Sequence, residues 1–338
     1  MKVNVFWVGL IAGVFWLSTH VSAGDKTVDE NKYANDADIK AFAKEHAKKH
    51  KKDEQKTYNL LRQAKYKQSI IDAISRPAEF THEWKDYAKI FLKEKRLAKG
   101  VEFWKKHQKV INEVSKKYGV EPEIILAIIG VETWYGSHMG DYRVLDALVT
   151  LGFDYPKRGK FFKKELEEYL LLLDEQRLDG TKLKGSYAGA MGFGQFIPSS
   201  YRAYAKSYDG IGAVDIWNDP KDAIASVANY LKMHGWRYGD LVADQIMTTD
   251  KIKDSLISEK LKLDKSVKQL RMQKVNVGES ISADADVMLM KMQGQYGEEY
   301  WVGFKNFYVI TRYNRSTMYS LAVYQLAQML KYEMTLVK

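Results

Sequence analysis

Apolar and polar positions recur at helical spacing through most of the chain, and in one stretch the polar positions nearly vanish. That stretch is Gly119 to Gly136, G-V-E-P-E-I-I-L-A-I-I-G-V-E-T-W-Y-G. Pro122 suits the first turn of a helix and Gly136 can end it. Ile124, Ile125, Leu126, Ala127, Ile128, Ile129 and Val131 cover nearly every face between them, so the helix belongs in a core. Glu132 follows Ile129, Ile128 and Ile125 by three, four and seven residues and shares their face. A carboxyl leaving an apolar face beside Trp134 and Tyr135 is partly desolvated, which raises its pKa toward the range a general acid needs. A partly exposed glutamate at a frayed helix end is the plain alternative.

The same spacing predicts helices across 57–108, interrupted at Pro77. Leu145 to Phe153 is short and apolar, and Glu165 to Leu173 reads as an amphipathic helix. Pro198 opens a helix through Tyr201 and Tyr204, and Asp219-Pro220-Lys221-Asp222 starts another that stops at Gly235. From 245 to 310 the pattern changes. A charged helical piece at Ser258–Met272 precedes Val287–Met292 and Y-W-V-G-F-K-N-F-Y-V-I-T, which resemble paired strands. Residues 312–338 return to helical spacing. The chain therefore reads as mainly α, with a small β-containing insert. The divisions are 1–23, 24–100, 101–244, 245–310 and 311–338.

Residues 1–23 read as a secretory signal peptide, with Lys2 at the start, an apolar run from Val5 to Leu17, and Val21-Ser22-Ala23 before a cut at Gly24. The run is short for a membrane anchor, so a cleaved leader and a periplasmic protein are expected. Residues 24–60 are lysine-rich and read as an exposed helix or arm able to meet anionic membrane or wall polymers. His46 and His50 lie one helical turn apart there, a spacing that can hold zinc. Lysines surround them and no third ligand is near in sequence, so no metal is expected.

Composition narrows the partners. The 338 residues carry a formal net charge of +10, which attracts polyanions in general. No RNA-recognition, zinc-finger or helix-turn-helix signature accompanies the charge, and no nucleic acid is expected. The chain has no cysteine, which excludes disulfides, thiolate metal sites, cysteine nucleophiles and a lipid-modified N-terminal cysteine. With 22 Tyr and 8 Trp, a sugar-stacking groove is plausible. Gly189-Ala190-Met191-Gly192-Phe193-Gly194 is no phosphate loop. Its order is G-x-x-G-x-G, it follows no apolar strand, and no Walker lysine or ribose-binding acid is in place. Such glycines instead permit close backbone approach to a ligand, with Gln195 adding an amide for a sugar hydroxyl or acetamido group.

V-E-T-W-Y-G at 131–136 and G-S-Y-A-G-A-M-G-F-G-Q-F-I-P-S-S at 185–200 together resemble the lytic murein transglycosylases, within them the membrane-bound lytic transglycosylase B family. L-D-A-L-V-T-L at 145–151, S-V-A-N-Y-L-K-M-H-G-W at 226–236 and V-I-T-R-Y-N-R-S-T-M-Y at 309–319 extend the likeness over about residues 80–338. The resemblance implies a lysozyme-like helical core with an N-terminal helical region and a small β-containing insert. It implies cleavage of the MurNAc-β-1,4-GlcNAc bond of peptidoglycan with a 1,6-anhydromuramyl product; a monomer is expected. By position it makes Glu132 the catalytic acid, Ser186 the hydroxyl near it, and Phe193 and Gln195 groove residues. Tyr87, Tyr230, Tyr313, Asn314 and Tyr319 match positions that contact substrate or support the glutamate. Lys157 and Arg158 match a basic pair, lysine being the departure, placed for muramyl lactyl or stem-peptide carboxylates. Members can carry an EF-hand-like calcium loop. Here its alternate positions are Ser207, Asp209, Ile211 and Ala213, two of them without side-chain oxygen, so weak or lost calcium binding and no cofactor are expected.

Two other readings stay open. A hydrolytic muramidase would want a second carboxylate, with Asp141 and Asp146 the nearby acids in sequence. A non-catalytic peptidoglycan-binding scaffold would need neither.

Overall fold

The computed structural model describes residues 29–76, 83–248 and 250–336. Residues 1–23, expected to be a signal peptide, and the helix break expected at Pro77 lie outside them. The described chain forms two compact units, one of 83–135 with 227–336 and one of 29–76 with 136–226. Among the described residues, no helix is long and apolar enough to cross a membrane.

The first unit is built around helix Pro122–Thr133, where proline takes the first-turn position its missing N–H and fixed φ suit. Every residue from Glu123 to Thr133 is buried. Helices Glu94–Tyr118 and Thr317–Leu336 pack against it. The latter contributes Leu321, Val323, Leu326 and Leu330, all fully buried, each stabilising the core by about 1.5–3 kcal/mol. Glu121, just before the helix, accepts hydrogen bonds from the Trp236 indole and the Gly239 N–H, both at 2.6 Å.

The insert is an antiparallel sheet in the order Ala243–Ile246, Gly297–Gly303, Asp286–Gly294, Lys265–Ser266. Val287 and Leu289 close a small core with Ile246, Val267, Leu270, Val277, Tyr300 and Val302. The alternate residues Met288 and Met290 lie over Gly303 with Phe307, where an added Cβ would meet all three at 2.9–3.0 Å.

Two sequence expectations fail in this unit. Within Ser258–Met272 only Val267–Met272 is helical, because Lys265–Ser266 pair with the neighbouring strand and Ser266 then caps the helix with Gln269. Lys305–Tyr313 is helix rather than strand. Its β-branched Val309, Ile310 and Thr311 are buried, and that packing overrides their strand preference.

The second unit holds helices Ala37–His50, Glu54–Leu61, Gln68–Ser75, Val144–Asp154, Gly159–Gln176 and Pro198–Tyr204, with a two-stranded ladder of Tyr142–Arg143 and Lys184–Gly185. Asp36 caps the first helix through the Asp38 and Ile39 N–H groups at 2.8 and 3.1 Å. Ile39, Ala43, His46 and Ala47 of that helix are buried, so the lysine-rich segment has a docked face and is not simply solvated. Helix Val144–Asp154 packs between Gln68–Ser75 and Gly159–Gln176.

Candidate active site

Helix Pro122–Thr133 delivers Glu132 in its last turn, 6% exposed. The chain then leaves by an unusual route. Trp134, Tyr135 and Gly136 all have positive φ, at 53, 57 and 84°. The helix therefore ends at Trp134 in the left-handed region, two residues before the glycine expected to end it. Left-handed backbone at two non-glycine residues is unfavourable and persists only where the surroundings impose it. Here the surroundings are a slot for the Tyr135 ring. At Gly130 and Gly100 an added Cβ would lie 2.5 and 2.3 Å from the Tyr135 hydroxyl. The Arg96 guanidinium sits 4.5 Å from the Trp134 ring centre.

Tyrosines surround the acid. The Tyr319 hydroxyl donates to Glu132 Oε1 at 2.6 Å. Burial pushes the Glu132 carboxyl up to about 8, and the Tyr319 bond, which favours the charged form, opposes this. The phenols of Tyr319, Tyr313 and Tyr87 are all raised, first by burial and then by the charge of Glu132. Tyr230 packs on Tyr313 with ring centres 4.6 Å apart, and its hydroxyl donates to the Arg312 carbonyl at 2.6 Å. Asn314 follows directly, at the end of helix Lys305–Tyr313. Glu132, Tyr87, Tyr230, Tyr313 and Tyr319 are thus brought together within one unit.

Ser186, Phe193 and Gln195 belong to the other unit, on the glycine-rich segment. Met191 bridges to both Gly185 and Phe196, folding the segment into tight turns. Gly192 needs its glycine, because a Cβ there would stand 2.3 Å from the Ile216 carbonyl oxygen. The Ser186 hydroxyl accepts from the Ala188 and Ala190 N–H groups at 3.3 and 3.1 Å, which leaves its own proton to donate. Phe193 lies over Gly136, where a Cβ would come within 2.2 Å of the ring. Gln195 adopts φ 51° and donates its amide N–H to the Met139 and Gly192 carbonyls at 3.1 and 3.0 Å. Its Oε1 is buried without a hydrogen-bond partner.

Lys157 is exposed and Arg158 half-buried at the start of helix Gly159–Gln176. The Arg158 guanidinium lies over Phe161 and Phe162, and burial lowers its pKa. Asp146 is not a free carboxylate. Its oxygens accept from Arg143 and from the Lys65 N–H. Sequence reasoning missed Glu165, buried and pushed up to about 7, which accepts from the Ser199 N–H and hydroxyl at 2.9 and 2.8 Å. It fixes the helix that follows the glycine-rich segment. The signal was an acid on the apolar face of E-L-E-E-Y-L.

In the candidate calcium loop, Asp209 accepts from Ser207 and the Ile211 N–H, and Ile211 is 77% exposed. Asp222 commits one oxygen to the Tyr208 N–H and the other to the Asp215 N–H, both at 2.8 Å. The expectation of no metal at His46 and His50 rested on the surrounding lysines and on the lack of a third ligand near in sequence. The fold supplies one, Glu167, with ligand atoms of all three within 4.8 Å.

Residues 34–328 match the transglycosylase SLT domain family. The chain is 40% identical over 305 residues to membrane-bound lytic murein transglycosylase B of Escherichia coli K12, covering 88% of this chain and 83% of that one. It resembles the soluble lytic transglycosylase SltB1 of Pseudomonas aeruginosa with a TM-score of 0.85 and 47% identity, over 88% of this chain and 99% of that one. SltB3 of Pseudomonas aeruginosa, solved in complex with NAG-anhNAM-pentapeptide, matches with a TM-score of 0.78 and 31% identity over 87% of this chain and 78% of that one. A buried helix ending in an acid held by tyrosine, a glycine-rich segment, and likeness over nearly the whole described length agree with one another: the chain belongs to the SLT family of lytic transglycosylases.

Proposed function

We propose that this enzyme cleaves the MurNAc-β-1,4-GlcNAc bond of peptidoglycan and leaves a 1,6-anhydromuramyl end. The observation that carries the reading is one carboxylic acid, Glu132, held by the Tyr319 hydroxyl and raised to about 8 by burial, with no neighbouring carboxylate contributing to the shift. At neutral pH it is largely protonated. It gives its proton to the glycosidic oxygen as the C1–O bond breaks and an oxocarbenium-like centre forms. The resulting carboxylate is stabilised by the Tyr319 hydroxyl. It takes the proton of the muramyl C6 hydroxyl as that oxygen bonds to C1, which restores the acid and closes the anhydro ring.

A two-carboxylate hydrolytic muramidase is less well supported. Asp146, one of the two acids available for it, is occupied by Arg143 and Lys65. A non-catalytic scaffold gives no role to the raised carboxyl of Glu132, which bonds Tyr319, whereas the raised Glu165 is accounted for by holding the next helix at Ser199.

Other residues take substrate roles in this reading. The Gln195 Oε1 accepts an acetamido N–H, and the Ser186 hydroxyl donates to a sugar or lactyl oxygen. In one unit Tyr87, Tyr230, Tyr313 and Asn314 contact the glycan, and in the other Phe193 is a groove residue while Lys157 and Arg158 meet glycan carboxylates. The basic surface suits an anionic wall polymer, and a leader at 1–23 directs a monomeric enzyme to the periplasm. The 207–213 loop fits calcium poorly, since Ile211 and Ala213 bring no side-chain oxygen and both Asp222 oxygens accept backbone N–H groups.

The test is Glu132→Gln, which keeps the side-chain shape and removes the titrating proton. Turbidity loss of purified sacculi should stop while sedimentation with sacculi persists. Lysis near the wild-type rate by a folded Glu132→Gln would overturn the assignment.

A further inference from the structure

We propose that His46, His50 and Glu167 form a binding site for a divalent transition-metal ion, zinc fitting best, that ties helix Ala37–His50 to helix Gly159–Gln176. The two histidines sit four residues apart on one helix, which puts their rings on one face, centres 4.8 Å apart. Glu167 comes from a helix more than a hundred residues away in sequence, and His50 Nε2 lies 2.5 Å from its Oε1. One ligand atom from each residue falls within 4.8 Å of the others.

Two imidazoles and a carboxylate are the donor set of many zinc sites, with a water completing the tetrahedron. Tetrahedral zinc holds such atoms about 3.3 Å apart, so side-chain rotations must part the His50–Glu167 pair slightly and draw the more distant atoms in. No thiolate elsewhere in the chain competes for the ion.

A second observation points to a ligand. His46 is 4% exposed and its Nδ1 is buried without a hydrogen-bond partner. A histidine kept only for packing would be expected to satisfy that nitrogen.

The surrounding lysines oppose a cation less than their number suggests. Lys52 and Lys56 pair with Asp174 at 3.1 and 3.2 Å. Lys49 pairs with Glu167 at 2.6 Å, yet its side chain is 59% exposed. An ion pair so open to water contributes little, so zinc can displace the ammonium without a large loss.

The experiment uses the untagged chain, stripped with a chelator and titrated with zinc chloride by calorimetry, alongside His50→Ala and Glu167→Gln. Wild type should bind one zinc and melt at a higher temperature with it. Each variant, shown folded by circular dichroism, should bind at least tenfold more weakly. No zinc binding by wild type, or unchanged binding by the folded variants, would overturn the proposal. Should either variant fail to fold, X-ray absorption of zinc-loaded wild type decides. Two imidazole nitrogens and a carboxylate oxygen support the site, and a shell without two imidazoles refutes it.

Discussion

Tyr319 and Glu132, 187 residues apart in sequence, share a buried hydrogen bond of 2.6 Å from phenol to carboxylate. That bond opposes the burial that raises the acid. It steadies the charged form, the form the proposed reaction reaches once the acid has given up its proton.

Tyr319→Phe should therefore do two things. Losing a hydrogen bond to a charged group, worth about 1.5–3 kcal/mol, should lower kcat roughly ten- to a hundredfold. Glu132 should also titrate higher, because the group that lowers its pKa is gone. The alkaline limb of the rate profile, where the acid form is lost, should move up in pH. A pH–rate series on both proteins checks this, and a limb that stays in place or moves down contradicts it.

Stability should carry the same signature. The folded Glu132 carboxyl titrates at about 8 against an ordinary 4.5. Between those values the folded state holds a proton the unfolded state has lost, so this contribution is full below pH 4.5 and falls as pH rises through 8. The loss amounts to at most about 5 kcal/mol. Glu132→Gln, which cannot ionise, should melt above wild type at pH 8, with the gap closing toward pH 5. Melting curves across that range measure it.

The acid and its helix were legible because Ile125, Ile128 and Ile129 mark the face that Glu132 shares. The helix end was not. Gly136 looked like the stop, but the Tyr135 ring packs against Gly100 and Gly130 in a slot that admits no Cβ, and the left-handed turn that seats it comes two residues earlier. Val309 to Thr311 looked like strand for a related reason, since β-branched residues pack well in either form and burial decides. Glu167 could not be paired with His46 and His50 from sequence, because 117 residues separate it from the nearer of them.

Gln195→Ala should separate binding from chemistry. It removes a buried, unpartnered acceptor and two amide bonds to the Met139 and Gly192 carbonyls, without touching Glu132. KM should rise about tenfold, the equivalent of one hydrogen bond, with a smaller change in kcat. Steady-state kinetics on soluble glycan fragments tests this. An unchanged KM would place the Gln195 oxygen off the substrate path.

Calcium should make little difference. With Ile211 and Ala213 at alternate loop positions and Asp222 engaged by the backbone, millimolar calcium should shift the melting temperature by no more than magnesium does. A saturable, calcium-specific rise would contradict this.

The most direct test of the central claim is the mass of the products. Purified sacculi digested with the wild-type enzyme should yield muropeptides lighter by one water than hydrolysis products, the mark of a 1,6-anhydro ring, and Glu132→Gln should yield none. Reducing-end products bearing the added water would show that a water, and not the muramyl C6 hydroxyl, attacks C1, and would contradict the single-acid mechanism.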